Sequence, residues 1–288
     1  MMKTFTAAAL SAVMILSGCS GSKEIKRPES FTLTSSTEAG NSGEVTLAKG
    51  DTYAVISVRD FGDIKIKLFP DLAPYAVYNF TELAKRGDYN GRNFHRLVEH
   101  FMIQGGSGNG IGYGGDSFDG GEFKNEINTS LRHYYGALCY AATSMGDITD
   151  GFYIVNERDP QTDLAACYDR VSANYTYNAS GYGSYLETMD KSDPNYSLVS
   201  SIVDYNTSAA KGVIAMKDTI TDAVTNTYAE KGGTPSLDGG YTVFGQTVEG
   251  FEVIDAISIV DKEDDGNGNI SKPVQDIIID KIEIFTME

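Results

Sequence analysis

The chain has no tryptophan, and among its 288 residues cysteine, histidine and proline number only 3, 3 and 7. Three cysteines (Cys19, Cys139 and Cys167) are too few for a disulfide scaffold, and no C-x-x-C or Cys/His spacing of a zinc site is present. With only His95, His100 and His133, and no serine in a strand-to-helix elbow, a Ser/His/Asp hydrolase is a poor fit. Positive charge is scarce too: 23 Lys and Arg stand against 40 Asp and Glu, a net charge of −17 that repels phosphate backbones and argues against nucleic acid as a partner. No cofactor or metal is expected. What is present is an ordinary globular balance, 41% hydrophobic and 22% charged with 31 glycines, in a length that suits one large domain or two small ones.

The first residues read as a secretory leader. Met1-Met2-Lys3 precedes an apolar stretch from Phe5 to Leu16, too short for a mature bilayer span, and small residues follow. Leu16-Ser17-Gly18-Cys19 resembles a bacterial lipobox, which implies a signal peptide over 1–18, acylation of Cys19, and a protein held on the outer side of a bacterial membrane by its lipid alone. Residues 19–50, rich in Ser, Thr, Glu, Lys and Gly without apolar periodicity, then read as a flexible tether.

From residue 51 the pattern changes. Tyr53–Val58 and Ile64–Leu68 are β-rich, the second strictly alternating, with turn residues Phe61-Gly62-Asp63 between them, which predicts a hairpin. Ala76, Val77, Phe80, Leu83 and Ala84 have helical spacing between Pro74 and Gly87. Strand-length apolar runs recur at 94–98, 101–104, 137–142, 152–155 and 241–244, a short helix is expected near 251–257, and 277–285 alternates as a last strand. Short strands with hairpin turns and no strand–helix rhythm argue for a mainly antiparallel sheet, closed or nearly so.

Two local patterns are weaker. Gly110-x-Gly112-x-x-Gly115 matches a dinucleotide fingerprint by letter, but no helical pattern opens after it, and Asp116, Asp119 and Glu122 crowd the place a pyrophosphate needs. Asp261 to Asn269 looks like a calcium loop but lacks the glycine at its sixth position, so a solvated acidic turn is the better reading.

The specific signal is Phe94-His95-Arg96-Leu97-Val98-Glu99-His100-Phe101-Met102-Ile103-Gln104-Gly105-Gly106. It resembles the cyclophilin signature F-H-R-V-x-x-x-F-M-I-Q-G-G and departs from its specified letters only at Leu97. Asn79-Phe80, Tyr89-Asn90-Gly91, Phe123 with Asn125-Glu126, His133 with Gly136 and Leu138, and Leu237-Asp238-Gly239 with Val243-Phe244-Gly245 extend the resemblance over about residues 51–288. It implies a closed antiparallel eight-stranded β-barrel capped by two α-helices, in a monomer that isomerises X-Pro bonds of proline-containing polypeptides. It also implies Arg96 and Gln104 as catalytic residues, with Phe101, Met102, Ala141, Ala142, Tyr153, Leu237 and Tyr241 lining the substrate groove; His95 is left as structural.

Physical chemistry supports the assignment independently. Rotating an X-Pro bond breaks amide resonance against a barrier of about 18–20 kcal/mol, which needs neither nucleophile nor metal to be lowered. A permanent cation such as Arg96, facing the prolyl nitrogen as it becomes pyramidal, suffices in principle.

The departures bear on activity. Where the family has S-M-A-N, this chain has Cys139-Tyr140-Ala141-Ala142; where it has Q-F-F-I, the chain has Gly151-Phe152-Tyr153-Ile154; and Ser236 replaces the tryptophan before L-D-G. These changes imply a working but slower isomerase or, alternatively, a module that only binds proline-containing segments. An insertion over about 157–228 carries eight of the 18 tyrosines and reads as a long Ser/Asn/Thr-rich loop near the groove, with short ordered pieces at 198–203 and 213–216 and the end of a helix near Tyr228 to Lys231.

Overall fold

The alternation of Ile64, Ile66 and Leu68 with charged residues makes one half of the hairpin expected from it. In the computed structural model, which describes residues 25–36, 40–110, 112 and 115–288, β2 (Thr52–Val58) pairs antiparallel with β3 (Gly62–Leu68). Ala54, Ile56 and Val58 point inward from one strand, and Ile64, Ile66 and Leu68 from the other. The leader and Cys19 lie outside the described residues.

The remaining elements, in chain order, are β1 (Thr32–Thr34), α1 (Pro74–Arg86), β4 (Asn93–Val98), β5 (Met102–Gly105), β6 (Phe123–Lys124), β7 (Glu126–Asn128), β8 (Ala137–Ala142) and β9 (Asp147–Val155). After these come α2 (Leu164–Thr188), α3 (Tyr196–Asp218), α4 (Asp222–Lys231), a single 3-10 turn (Pro235–Leu237), β10 (Val243–Glu249), α5 (Phe251–Ser258), β11 (Lys262–Asp264), β12 (Ile270–Pro273) and β13 (Ile277–Thr286).

Eight strands close into a ring in the order β5-β4-β13-β2-β3-β10-β8-β9, and β9 returns to β5. Every pairing in the ring is antiparallel, so the barrel has no free edge strand. The seventh run begins later than the sequence pattern suggests, at Val243 rather than Tyr241, because the chain must first leave the 3-10 turn.

The two helices expected to cap the barrel are α1 and α5, whose Phe80, Leu83, Val253, Ile254 and Ile257 join its core. Helix α1 starts at Pro74, ends on Gly87 at φ 83°, and gets no side-chain cap from Ala73. Its orphan amides are met from elsewhere: the Glu126 carboxylate accepts from Tyr75 N at 3.3 Å and Ala76 N at 2.7 Å.

Two expectations are corrected. The insertion is not a loop: α2, α3 and α4 bring the described helices to five, the pieces at 198–203 and 213–216 both belong to α3, and the helix end expected near Tyr228 to Lys231 is that of α4. Helices α2 and α3 run back against each other, with Lys217 bonded to Asp169 at 2.5 Å and Tyr175 edge-on to Tyr205. Their helical period was hidden because tyrosine, asparagine, threonine and two glycines (Gly181, Gly183) fill α2, and its stability comes from docking rather than propensity. Leu164, Tyr168, Val213, Met216, Val224 and Tyr228 form a second core with Ile127 and Tyr134 of the barrel side.

The described part of the segment read as a tether also lies on the domain. β1 pairs in parallel with β7, Arg27 donates to Gly120 O, and Asn41, 1% exposed, donates to Arg132 O and Gln246 Oε1 at 2.7 and 3.1 Å. A polar, aperiodic segment docks here through hydrogen bonds and a few scattered apolar side chains, Ile25, Phe31 and Val45, which leave no hydrophobic period to read. Cys139 is buried, Cys167 half-buried, and both are free.

Candidate active site

Strands β4 and β5 set Arg96 directly opposite Gln104. The Arg96 Nη1 donates to Gln104 Oε1 at 3.2 Å and lies 3.8 Å from the Met102 sulfur, while its Cζ is 6.0 Å from the Phe101 ring centre. Arg96, Gln104 and Phe101 are half-buried, and Met102 is buried. The next pairing sets Gln104 against Tyr153 of β9, so three adjacent strands carry a cation, an amide and an aromatic residue at neighbouring register positions. The barrel therefore gathers the signature residues, which the sequence places within nine positions, with Tyr153, which it does not.

The Tyr153 backbone pairs with Cys139, and its neighbours include Tyr241 and Tyr205. Burial pushes its hydroxyl well above the usual phenol range. Leu237, half-buried in the 3-10 turn, packs against the same core. Ala141 and Ala142 end β8, half-buried, with Ala142 opposite Ile148. Tyr241 is half-buried beside Tyr175 and Tyr205 of the inserted helices, an approach no sequence spacing announces.

His95 faces away from this role. Burial first, then the Arg96 charge, lower its pKa to about 4, and neither ring nitrogen has a hydrogen-bond partner among the described residues. It is neutral near pH 7.

The competing patterns resolve on geometry. In the glycine-rich loop, Asp150 Oδ2 accepts from Gly108 N at 3.1 Å and Arg92 Nη1 at 2.7 Å, so a carboxylate holds this loop where a phosphate would need open amides. Between β11 and β12, Asp264 accepts from Gly266 N and Gly268 N, and Asp265 from Asn267 N, which makes an acidic turn. His100, Glu157 and Asp159 bring one possible ligand atom each within 4.8 Å of one another, but His100 and Asp159 are exposed, as acidic surface groups commonly are without an ion. Among the described residues no helix is long and apolar enough to cross a membrane.

A buried polar cluster beside the pocket went unread in the sequence. His133 Nδ1 meets Asp238 Oδ1 at 2.8 Å, and its Nε2 meets the Tyr153 hydroxyl at 3.0 Å. Burial alone would raise the Asp238 pKa, but hydrogen bonding and charge from His133, the Arg132 charge and the Tyr168 hydroxyl outweigh it, and the net shift is downward. A His–Asp pair is thus present with tyrosine, not serine, as its third member. Both residues lie in motifs the sequence displays, yet their contact spans 105 positions.

A closed eight-stranded antiparallel barrel with this Arg–Gln pair on its wall defines a class, and comparison with known proteins agrees. The family model described as "Cyclophilin type peptidyl-prolyl cis-trans isomerase/CLD" matches residues 53–177 and 170–284, two stretches that meet inside the insertion. A Staphylococcus saprophyticus protein assigned by name to the peptidyl-prolyl cis-trans isomerases is 33% identical over 242 residues, covering 83% of this chain and 95% of that protein. A Staphylococcus haemolyticus protein of the same name is 32% identical over 77% of this chain and 86% of its own. Among solved structures, a cyclophilin type isomerase of Cryptosporidium parvum aligns with TM-score 0.52 at 21% identity, over 83% of this chain and 99% of that one. The same Cryptosporidium protein crystallised in the presence of the dipeptide Ala-Pro aligns with TM-score 0.51. The chain belongs to the cyclophilin-type peptidyl-prolyl cis-trans isomerase family.

Proposed function

We propose that this protein catalyses cis–trans isomerisation of X-Pro bonds in proteins folding outside the cytoplasmic membrane, with Arg96 as the catalytic cation. The observation that carries the reading is the Arg96–Gln104 bond at 3.2 Å. One donor edge of the guanidinium is engaged by the amide oxygen, which orients the remaining N–H groups beside Phe101 and Met102. A proline ring seated on those side chains brings its nitrogen to the free donors. As the C–N bond twists, the lone pair localises on that nitrogen and accepts from Arg96, a bond that is stronger in the twisted state than in the planar one and so lowers the barrier. No bond to the protein forms. The Leu16-Ser17-Gly18-Cys19 sequence supports a lipid anchor at Cys19 and action on the outer face of a membrane.

A second reading, a proline-segment binder with little catalysis, is favoured by Ala142, Gly151 and Ser236, which leave the groove short of side chains to grip the substrate backbone. Exchange spectroscopy of a short Ala-Pro peptide with the 20–288 protein separates the two. Catalysis that falls at least tenfold in Arg96→Ala supports the isomerase. Peptide binding without enhanced exchange in either protein favours the binder.

A further inference from the structure

The insertion meets the pocket through one carboxylate. Asp238 follows the pocket residue Leu237 and is fully buried. Its Oδ1 accepts from both the backbone N and the Nδ1 of His133, each at 2.8 Å. Its Oδ2 accepts from the hydroxyls of Tyr168 on α2 at 2.6 Å and Tyr228 on α4 at 2.7 Å. Arg132 donates to the Tyr168 hydroxyl at 2.9 Å, leaving that hydroxyl's own hydrogen for Asp238. A carboxylate only accepts, so His133 carries a hydrogen on Nδ1, and its Nε2 lies 3.0 Å from the Tyr153 hydroxyl. The chain of bonds runs from two inserted helices to the aromatic floor of the pocket, and every side chain in it is buried.

Helix α3 reinforces the same loop. At Gly212 a Cβ would come within 2.1 Å of Gly239 O, so helix and loop backbones touch, and Tyr205 donates to Gly240 O at 3.2 Å. An insertion that only decorated the surface would have no need to direct two buried hydroxyls at a residue adjoining the pocket.

We propose that Asp238 is a positioning residue for the isomerase pocket, through which Tyr168 and Tyr228 of the inserted helices set the ring of Tyr153 by way of His133. This rests on the isomerase reading above. Satisfied buried networks specify one arrangement of their members, and here one member is the pocket floor. The helices thereby adjust how the groove receives the proline ring, and their effect falls mainly on KM, because a misplaced floor weakens binding of planar and twisted substrate alike.

A double-mutant cycle tests it. Tyr168→Phe and Tyr228→Phe, singly and together, remove hydroxyls and keep the rings; Tyr153→Phe cuts the final link. In the native background the pair should lower kcat/KM for an Ala-Pro peptide about fivefold, chiefly through KM, and in the Tyr153→Phe background less than about twofold. An equal loss in both backgrounds would mean general loosening of the fold and overturn the proposal, as would no loss in the native one. The singles serve if the pair does not fold. If the unmodified protein catalyses no exchange, the isomerase reading fails instead. The relay is then read from the Tyr153 ring resonances, identified by their loss in Tyr153→Phe: a shift on removing the Tyr168 or Tyr228 hydroxyl sustains it, and unmoved resonances overturn it.

Discussion

Arg96 and Gln104 face each other across β4 and β5, and the guanidinium Nη1 donates to the amide oxygen at 3.2 Å with the Met102 sulfur 3.8 Å from the same nitrogen. In the proposed mechanism the cation is thus oriented before substrate arrives and need not reorganise as the prolyl nitrogen becomes pyramidal.

Arg96→Lys should keep the charge and still lose roughly 10²-fold in kcat/KM, because an ammonium cannot engage Gln104 and present a planar donor edge together. Peptide exchange rates check this. Recovery to within about twofold of the native rate would show that charge alone suffices.

Gln104→Ala should cost roughly tenfold, less than loss of Arg96 itself, and the two changes should not add, because the amide acts through the guanidinium. Independent losses in the double variant would mean that Gln104 works on the substrate directly.

Glu126 sets a pH dependence of stability. Burial raises its pKa from 4.5 to about 7, and the Ala76 and Tyr75 amides offset only part of that. For an acid whose pKa rises on folding, the folded state gains while the group is protonated: the gain is full below 4.5 and is lost as pH climbs to about 7. Glu126→Gln, which mimics the protonated form, should flatten the slope of unfolding free energy between those pH values. Urea unfolding at several pH values reads it, and an unchanged slope would exclude Glu126 as its source.

Gly212→Ala should loosen α3 from the 237–241 loop. The added methyl meets Gly239 O at 2.1 Å, and backbone on both sides cannot yield cheaply. A loss of about 1–3 kcal/mol is expected. Urea unfolding reads it, and Gly183→Ala, with open space around it, should be neutral or stabilising in the same measurement.

The barrel was legible because its strands carry their burial pattern locally. Ile64, Ile66 and Leu68 alternate, Phe80 and Leu83 recur at helical spacing, and Arg96 to Gln104 sit within one hairpin, so period and motif are visible along the chain. The insertion was not. Its helices use tyrosines and small residues whose inward face exists only against one another and the barrel side, and the tether's Asn41 and Arg27 bind by hydrogen bonds that leave no period.

Composition, the β periodicity and one dense motif were thus enough to determine the family, the barrel and the Arg96–Gln104 pair. Tertiary structure alone decided that α2 and α3 are helices and that Tyr168, Tyr228, Asp238, His133 and Tyr153 form one buried chain of hydrogen bonds. Pairings such as His133 with Asp238, 105 residues apart, depend on where closed strands and docked helices bring the backbone. Hydrogen-bond partners are chosen by distance in space, and a linear pattern carries no record of that.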